Sequence, residues 1–223
     1  MKKEIIEKYD LENNLKWKLE KRKKYHKANE FVKKGETVMV GSSLMEQFPL
    51  NEFMLGQGIK ACIYNRGISG YTIPELLDTM EECIFELNPS RIFINIGTND
   101  IGSSEYDPNK SLDNYSKVLK QIKTREPDCK VIVMAYYPVN PVDDFGLTEE
   151  ARSGMYKTRT NEAIMSANVE IEKLAYLYQY DFINVNDGLK DDHGNLKKEY
   201  SIEGLHMWPN GYEVVFENLK KYF

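Results

Sequence analysis

Short β-type runs alternate with longer helical patterns along most of this 223-residue chain, and that alternation constrains the fold more than any other feature. The runs are TVMV at 37–40, CIY at 62–64, RIFINI at 91–96, KVIVMAY at 130–136 and FINV at 182–185. Strands separated by helices call for a parallel sheet covered on both faces. Between the runs, Leu76, Leu77, Met80, Ile84 and Leu87 mark one helical face after Thr72 and Pro74, which suit a cap and a first turn. Tyr115, Val118, Leu119 and Ile122 mark another, and Ile164, Ile171, Leu174 and Ala175 a third. Tyr212, Val215, Phe216, Leu219 and Phe223 form the last, after Pro209 and Gly211. The expectation is one domain over 1–223, a three-layer α/β/α sandwich on five parallel strands. Residues 137–153, with Pro138, Pro141 and Gly146, read as a long loop of the kind that borders sites.

Ahead of the first strand, Leu11, Leu15 and Leu19 recur at four-residue steps among charges, and Gly35 follows. This predicts a helical extension over residues 1–35 that packs on the main body and ends at the glycine. The chain carries a net charge of -5, but this segment alone is +6 and leaves -11 on the remainder. An acidic body argues against nucleic acid as a partner. No apolar run follows the first lysines and no uninterrupted apolar stretch of about 18 residues occurs, so neither a signal peptide nor stable membrane insertion is expected, and a cytoplasmic location follows. Cys62, Cys83 and Cys129, odd in number and without a C-x-x-C spacing, read as reduced thiols.

In open parallel sheets the binding crevice lies at the carboxyl ends of the strands. Gly41, Ser42 and Ser43 follow the first run, and a serine opening a helix has its hydroxyl near unpaired N–H groups that favour the alkoxide. A plain helix cap would explain either serine equally well. Met45 stands where the G-x-S-x-G elbow of α/β-hydrolases needs glycine. A nucleophilic serine needs a base, and the chain offers His26, His193 and His206. His26 lies among lysines and His193 in a polar turn, whereas His206 directly precedes the final helix and follows Glu203 by three residues. That separation lets a carboxylate in a turn set the imidazole tautomer. The N–H groups of Gly70 and Ser43 and the side-chain amide of Asn99 are suitable in type to hold an oxyanion.

In order, GSSL (41–44), NRGISG (65–70), GTND (97–100) and EGLH (203–206) resemble the four blocks of the SGNH/GDSL hydrolase superfamily, from about residue 37 to the end. The resemblance implies a serine esterase or acylhydrolase on a flavodoxin-like sandwich. Ser43 matches the nucleophile, Gly70 and Asn99 the oxyanion donors and His206 the base. Ser42 stands where the family has Asp, and Glu203 where it has the Asp that orients the histidine. The longer glutamate either completes a triad or leaves a serine-histidine dyad. Chemistry of this kind needs no metal or organic cofactor.

The expected partner is a small-molecule ester. Tyr136, Tyr137 and Trp208 flank strand-end or histidine loops, and their rings would suit stacking on a sugar bearing an O-acetyl group. A lysophospholipase or thioesterase would suit the same family. From another class, a non-catalytic glycan- or acyl-binding module would carry the changes at Ser42 and Glu203 as decay. A nucleotide binder ranks last, since no phosphate-binding fingerprint accompanies Gly67 and Gly70. The oligomeric state, a homo-oligomer included, and the task of the basic leading helix stay open.

Overall fold

The computed structural model describes the backbone of residues 2–223 and the side chains of Tyr9 and of residues 11–223. Five strands, β1 (Thr37–Gly41), β2 (Ile63–Asn65), β3 (Arg91–Asn95), β4 (Lys130–Met134) and β5 (Asp181–Ile183), form one parallel sheet in the order β2-β1-β3-β4-β5. Val38, Met39, Val40, Ile92, Phe93, Ile94 and residues 131–134 are at most 1% exposed, so both faces of the sheet are covered. The helices are α1 (Lys2–Ala28), α2 (Ser43–Glu46), α3 (Leu50–Gly56), α4 (Ile73–Leu77), α5 (Met80–Cys83), α6 (Thr98–Ile101), α7 (Pro108–Arg125), α8 (Glu149–Tyr156), α9 (Asn161–Leu177) and α10 (Pro209–Leu219). α4, α7 and α9 pack side by side, and α3 packs with α10.

The strand order reverses between β1 and β3, which lie in register with Gly41 opposite Asn95. The chain leaves these two strands in opposite directions, so a crevice opens at their carboxyl ends. The segments that follow β1, β2 and β3 therefore leave the sheet at the same end.

The apolar faces fall where the periodicity puts them: Tyr115, Val118, Leu119 and Ile122 are fully buried on α7, Ile164, Ile171, Leu174 and Ala175 are buried on α9, and Tyr212, Val215, Phe216 and Leu219 on α10. Thr72 caps α4 in a capping box with Glu75, and Pro74 stands in the first turn.

Three local expectations are corrected. The pattern over 76–87 breaks into α4, α5 and a 3₁₀ turn at 85–87, because the Thr79 hydroxyl donates to the Glu75 carbonyl at 2.9 Å and competes with the helical ladder. Residues 149–153, expected in a loop, begin α8, where the Thr148 hydroxyl accepts from the Ala151 N–H at 3.2 Å. The leading helix ends at Ala28 rather than at Gly35, which instead takes a positive φ of 81° in the turn before β1.

That helix also docks differently from the leucine stripe expected of it. Leu11, Leu15 and Leu19 are 71%, 57% and 47% exposed. Contact comes from polar side chains: Lys18 pairs with Glu75, Arg22 with Glu82 and His26 with Glu86, each at 2.6 Å. The acidic surface of the body selects the basic residues of α1. Among the described residues no helix is long and apolar enough to cross a membrane. Cys62, Cys83 and Cys129 are free thiols, and burial pushes Cys83 and Cys129 up to about 12.

Candidate active site

β1 stops at Gly41, Ser42 is extended (φ -95°, ψ -151°) and Ser43 opens α2. Ser42 occupies the cap position, and its carbonyl accepts from the N–H groups of Met45 and Glu46, but its side chain makes no cap bond. The Ser43 hydroxyl is engaged elsewhere: its Oγ lies 2.9 Å from His206 Nε2, across 163 residues of sequence. His206 Nδ1 in turn bonds Glu203 Oε1, which also accepts from the His206 backbone N–H at 3.1 Å. A carboxylate facing Nδ1 places the ring proton there, so Nε2 is the acceptor for the serine hydroxyl. Burial, the largest single influence, raises the Glu203 carboxyl, but its side-chain and backbone hydrogen bonds and the charge attraction of His206 together outweigh burial and hold it below the ordinary range.

The histidine loop is fixed from several sides. Ile202 N–H donates to the His206 carbonyl at 2.8 Å, and Gly204 N–H donates to Ser201 Oγ at 2.6 Å. Tyr156 at the end of α8 donates its hydroxyl to the Glu203 carbonyl at 2.8 Å, and Asn140 N–H donates to the Gly204 carbonyl at 2.7 Å. Part of the expected loop thus becomes a clamp on the acid-base pair.

The turn after β2 approaches α2 so closely that a Cβ on Gly67 would strike the Glu46 backbone, which explains glycine there. Glu46 then accepts from the Ser69 N–H at 2.7 Å and from its hydroxyl at 2.6 Å, locking the turn to the helix that Ser43 opens. Gly70 is exposed, with a φ of 72° that only glycine takes freely. Among the described residues, neither its N–H nor that of Ser43 meets an acceptor.

After β3, Asn99 lies in α6. Its Nδ2 donates to the Tyr71 carbonyl at 2.9 Å and its Oδ1 accepts from Arg159 Nη2 at 3.4 Å. Turned the other way, the amide would set donor against guanidinium and acceptor against carbonyl, so the two partners fix its orientation and leave a second Nδ2 hydrogen for another acceptor. Arg159 is 8% exposed and donates otherwise to the carbonyls of Thr98 (3.0 Å) and Met155 (3.3 Å). Among the described residues no carboxylate pairs with it, and burial lowers its pKa. The adjacent Asp100 accepts from the Ile73 N–H at 3.0 and 3.2 Å, and burial pushes its carboxyl up to about 6.

Ser43, Glu203 and His206 are thus joined in one hydrogen-bonded chain, and the turns carrying Gly70 and Asn99 meet through the bond from Asn99 to Tyr71. Tyr136 and Tyr137 are not available for stacking. They are 3% and 2% exposed, because they continue β4 into the core rather than lining its rim. Trp208 is 51% exposed at the cap of α10. Arg159, Tyr156, Lys18 and Glu46 were not singled out by sequence reasoning. They act on the motif residues from loops and helices whose docking no short pattern encodes.

A parallel α/β/α sheet with a hydroxyl, an imidazole and a carboxylate hydrogen-bonded in series carries the groups that acyl hydrolysis uses. The chain belongs to the GDSL-like lipase/acylhydrolase family, whose model matches residues 49–214, a span that includes Gly70, Asn99, Glu203 and His206 and begins after Ser43. Over 190 residues, 85% of this chain, it is 28% identical to the N-acylneuraminate cytidylyltransferase of Escherichia coli O18:K1:H7 (strain RS218 / NMEC), and it spans about 40% of the length of that curated relative. A solved structure from Streptococcus pneumonia, named for platelet activating factor, superimposes with a TM-score of 0.86 at 31% identity, over 98% of each chain. The acetyl xylan esterase AlAXEase shares the fold, with a TM-score of 0.65 at 17% identity over 83% of this chain and 98% of its own.

Proposed function

We propose that this chain is a serine esterase that cleaves a small acyl ester, an acetyl ester on a carbohydrate in particular, through an acyl-enzyme. The observation that carries the reading is the relay from Glu203 through His206 to Ser43, with 2.9 Å between Nε2 and Oγ at the start of α2. In the proposed cycle His206 Nε2 takes the Ser43 proton as Oγ attacks the ester carbonyl. The oxyanion is held by the N–H groups of Ser43 and Gly70 and by Asn99 Nδ2. The imidazolium returns its proton to the leaving alcohol. His206 then takes a proton from water, which attacks the acyl-serine, and Ser43 regains its proton as the carboxylic acid departs.

Glu203, ionised and bonded to Nδ1, orients the ring and stabilises the imidazolium. The relay is intact with glutamate in the aspartate position, which favours a triad over a decayed binding module. The acetyl-carbohydrate refinement draws support from the exposed Trp208 ring two residues beyond the base. The curated relative and the fold neighbour are both named for carbohydrates, N-acylneuraminate and acetyl xylan.

The test is hydrolysis of p-nitrophenyl acetate and of acetylated oligosaccharides, compared with long-chain acyl esters. Ser43→Ala should abolish turnover of all of them with an unchanged melting temperature. Undiminished turnover would remove the serine from the mechanism, and preference for long acyl chains would move the substrate to lipids.

A further inference from the structure

α1 lies outside the residues that match the family, yet it is tied to the turn that presents Gly70. Lys18 Nζ donates to the Gly70 carbonyl at 2.9 Å, and Tyr25 donates its hydroxyl to the Gly67 carbonyl at 2.6 Å. On one flank of the helix Asn14, Trp17 and Lys21 follow at three- and four-residue steps, so they share a face. Lys21 pairs with Glu46 at 2.7 Å, on the helix that Ser43 opens, and so shows which way this flank looks. The opposite flank, carrying Leu15, Leu19, Arg22 and His26, pairs instead with Glu82 and Glu86. Trp17 and Asn14 therefore stand on the flank of the helix that Lys21 ties to α2. With Ser69 and Gly70 they line a shallow depression of about 330 Å³.

From this placement we infer that α1 forms a wall of the substrate cleft, and that Trp17 and Asn14 constitute a subsite for a neutral sugar ring carrying the ester. The inference rests on the esterase reading and gives its substrate a location. Trp17 is 41% exposed, enough for one ring face to take the apolar face of a pyranose. Asn14, also exposed, adds an amide able both to donate to and accept from sugar hydroxyls. The remaining lining, Ser69 and Gly70, has a short side chain or none. Gly70 has no side chain to close the gap, and a Cβ there would come within 3.3 Å of Lys18 Cε. Leu11, Leu15 and Leu19 do not belong to the depression, which separates the subsite from any lipid contact the leucines make.

The experiment compares wild type, Trp17→Ala and Trp17→Phe on an acetylated xylooligosaccharide and on p-nitrophenyl acetate. In parallel, tryptophan emission is titrated with xylotetraose and with phosphatidylglycerol vesicles in wild type and in Trp17→Phe, and the difference between the two reports Trp17. Trp17→Ala should raise KM for the acetylated sugar about ten-fold with kcat changed less than about two-fold, about what loss of one aromatic contact removes, while p-nitrophenyl acetate kinetics stay unchanged. Trp17→Phe should recover most of the loss, and xylotetraose should shift the Trp17 emission. An unchanged KM for the sugar in Trp17→Ala overturns the subsite alone. Wild type that hydrolyses p-nitrophenyl acetate but not the acetylated sugar overturns the carbohydrate reading and the subsite with it. An emission shift with vesicles and none with xylotetraose assigns this face to lipid and likewise overturns the proposal.

Discussion

Lys18 of the leading helix and Gly70 of the turn after β2 are joined by a hydrogen bond of 2.9 Å from the ammonium to the glycine carbonyl, across 52 residues. The same ammonium pairs with Glu75 at 2.6 Å, so one side chain fixes both the turn and the start of α4. If the Gly70 N–H holds the oxyanion, loosening its carbonyl misaims it. Lys18→Met should lower kcat on p-nitrophenyl acetate about ten-fold, the scale of one hydrogen bond to a charged group, with KM nearly constant. Steady-state kinetics would show this, and an unchanged kcat would reduce the contact to simple docking of α1.

Asn99 and Arg159 should behave as a unit. Asn99→Ala removes one oxyanion donor and should reduce kcat by about 10²–10³. Arg159→Met leaves the amide present but unheld and without the nearby positive charge, so a loss of about ten-fold is expected. In the double variant the Arg159 effect should vanish, because the amide it orients is gone. A double-mutant cycle in kcat that came out additive would assign Arg159 to packing alone.

Glu203→Gln keeps the size of the side chain and removes the charge that fixes the histidine tautomer. A working triad predicts a fall in kcat of up to about 10⁴ with little change in melting temperature. A fall of only a few-fold would instead describe a serine-histidine dyad, with Glu203 merely bracing the loop.

Much of the fold was legible because it depends on local periodicity. The five runs gave the strands to within two residues at each end, and the apolar faces of α7, α9 and α10 are those that spacing predicts. The meeting of Ser43, His206 and Glu203 was legible from residue type and motif order. Arg159 and Lys18 were not, because their importance arises from docking of α8, α9 and α1, which depends on surfaces distant in sequence. Tyr136 and Tyr137 misled for a related reason: an aromatic after a strand looks the same in sequence whether it turns to the rim or to the core. The leucines of α1 misled because ion pairs, not apolar area, decide how that helix sits.

Asp100 gives a pH dependence of stability with a definite sign. Its carboxyl is raised to about 6 by burial, above the ordinary value of 3.8, so the folded state holds this proton more tightly than the unfolded chain. The resulting stabilisation is complete below about pH 4 and is lost as pH rises through about 6, at most about 3 kcal/mol from this group. Glu203, held below its ordinary 4.5, works in the opposite sense: its contribution is present above that value and fades as pH falls further. Denaturant melts from pH 4 to 7 should show wild type losing stability relative to Asp100→Asn as pH rises. Parallel curves would mean that the folded state does not raise this carboxyl.

The proposed catalysis turns on the hydroxyl of Ser43, 2.9 Å from His206 Nε2. Peptide mass spectrometry after reaction with a fluorophosphonate tests it most directly. One adduct per chain is expected, on Ser43, formed at least about 10³-fold more slowly in His206→Ala and absent in Ser43→Ala. An adduct on another residue, or labelling of Ser43 at the same rate without His206, would contradict it.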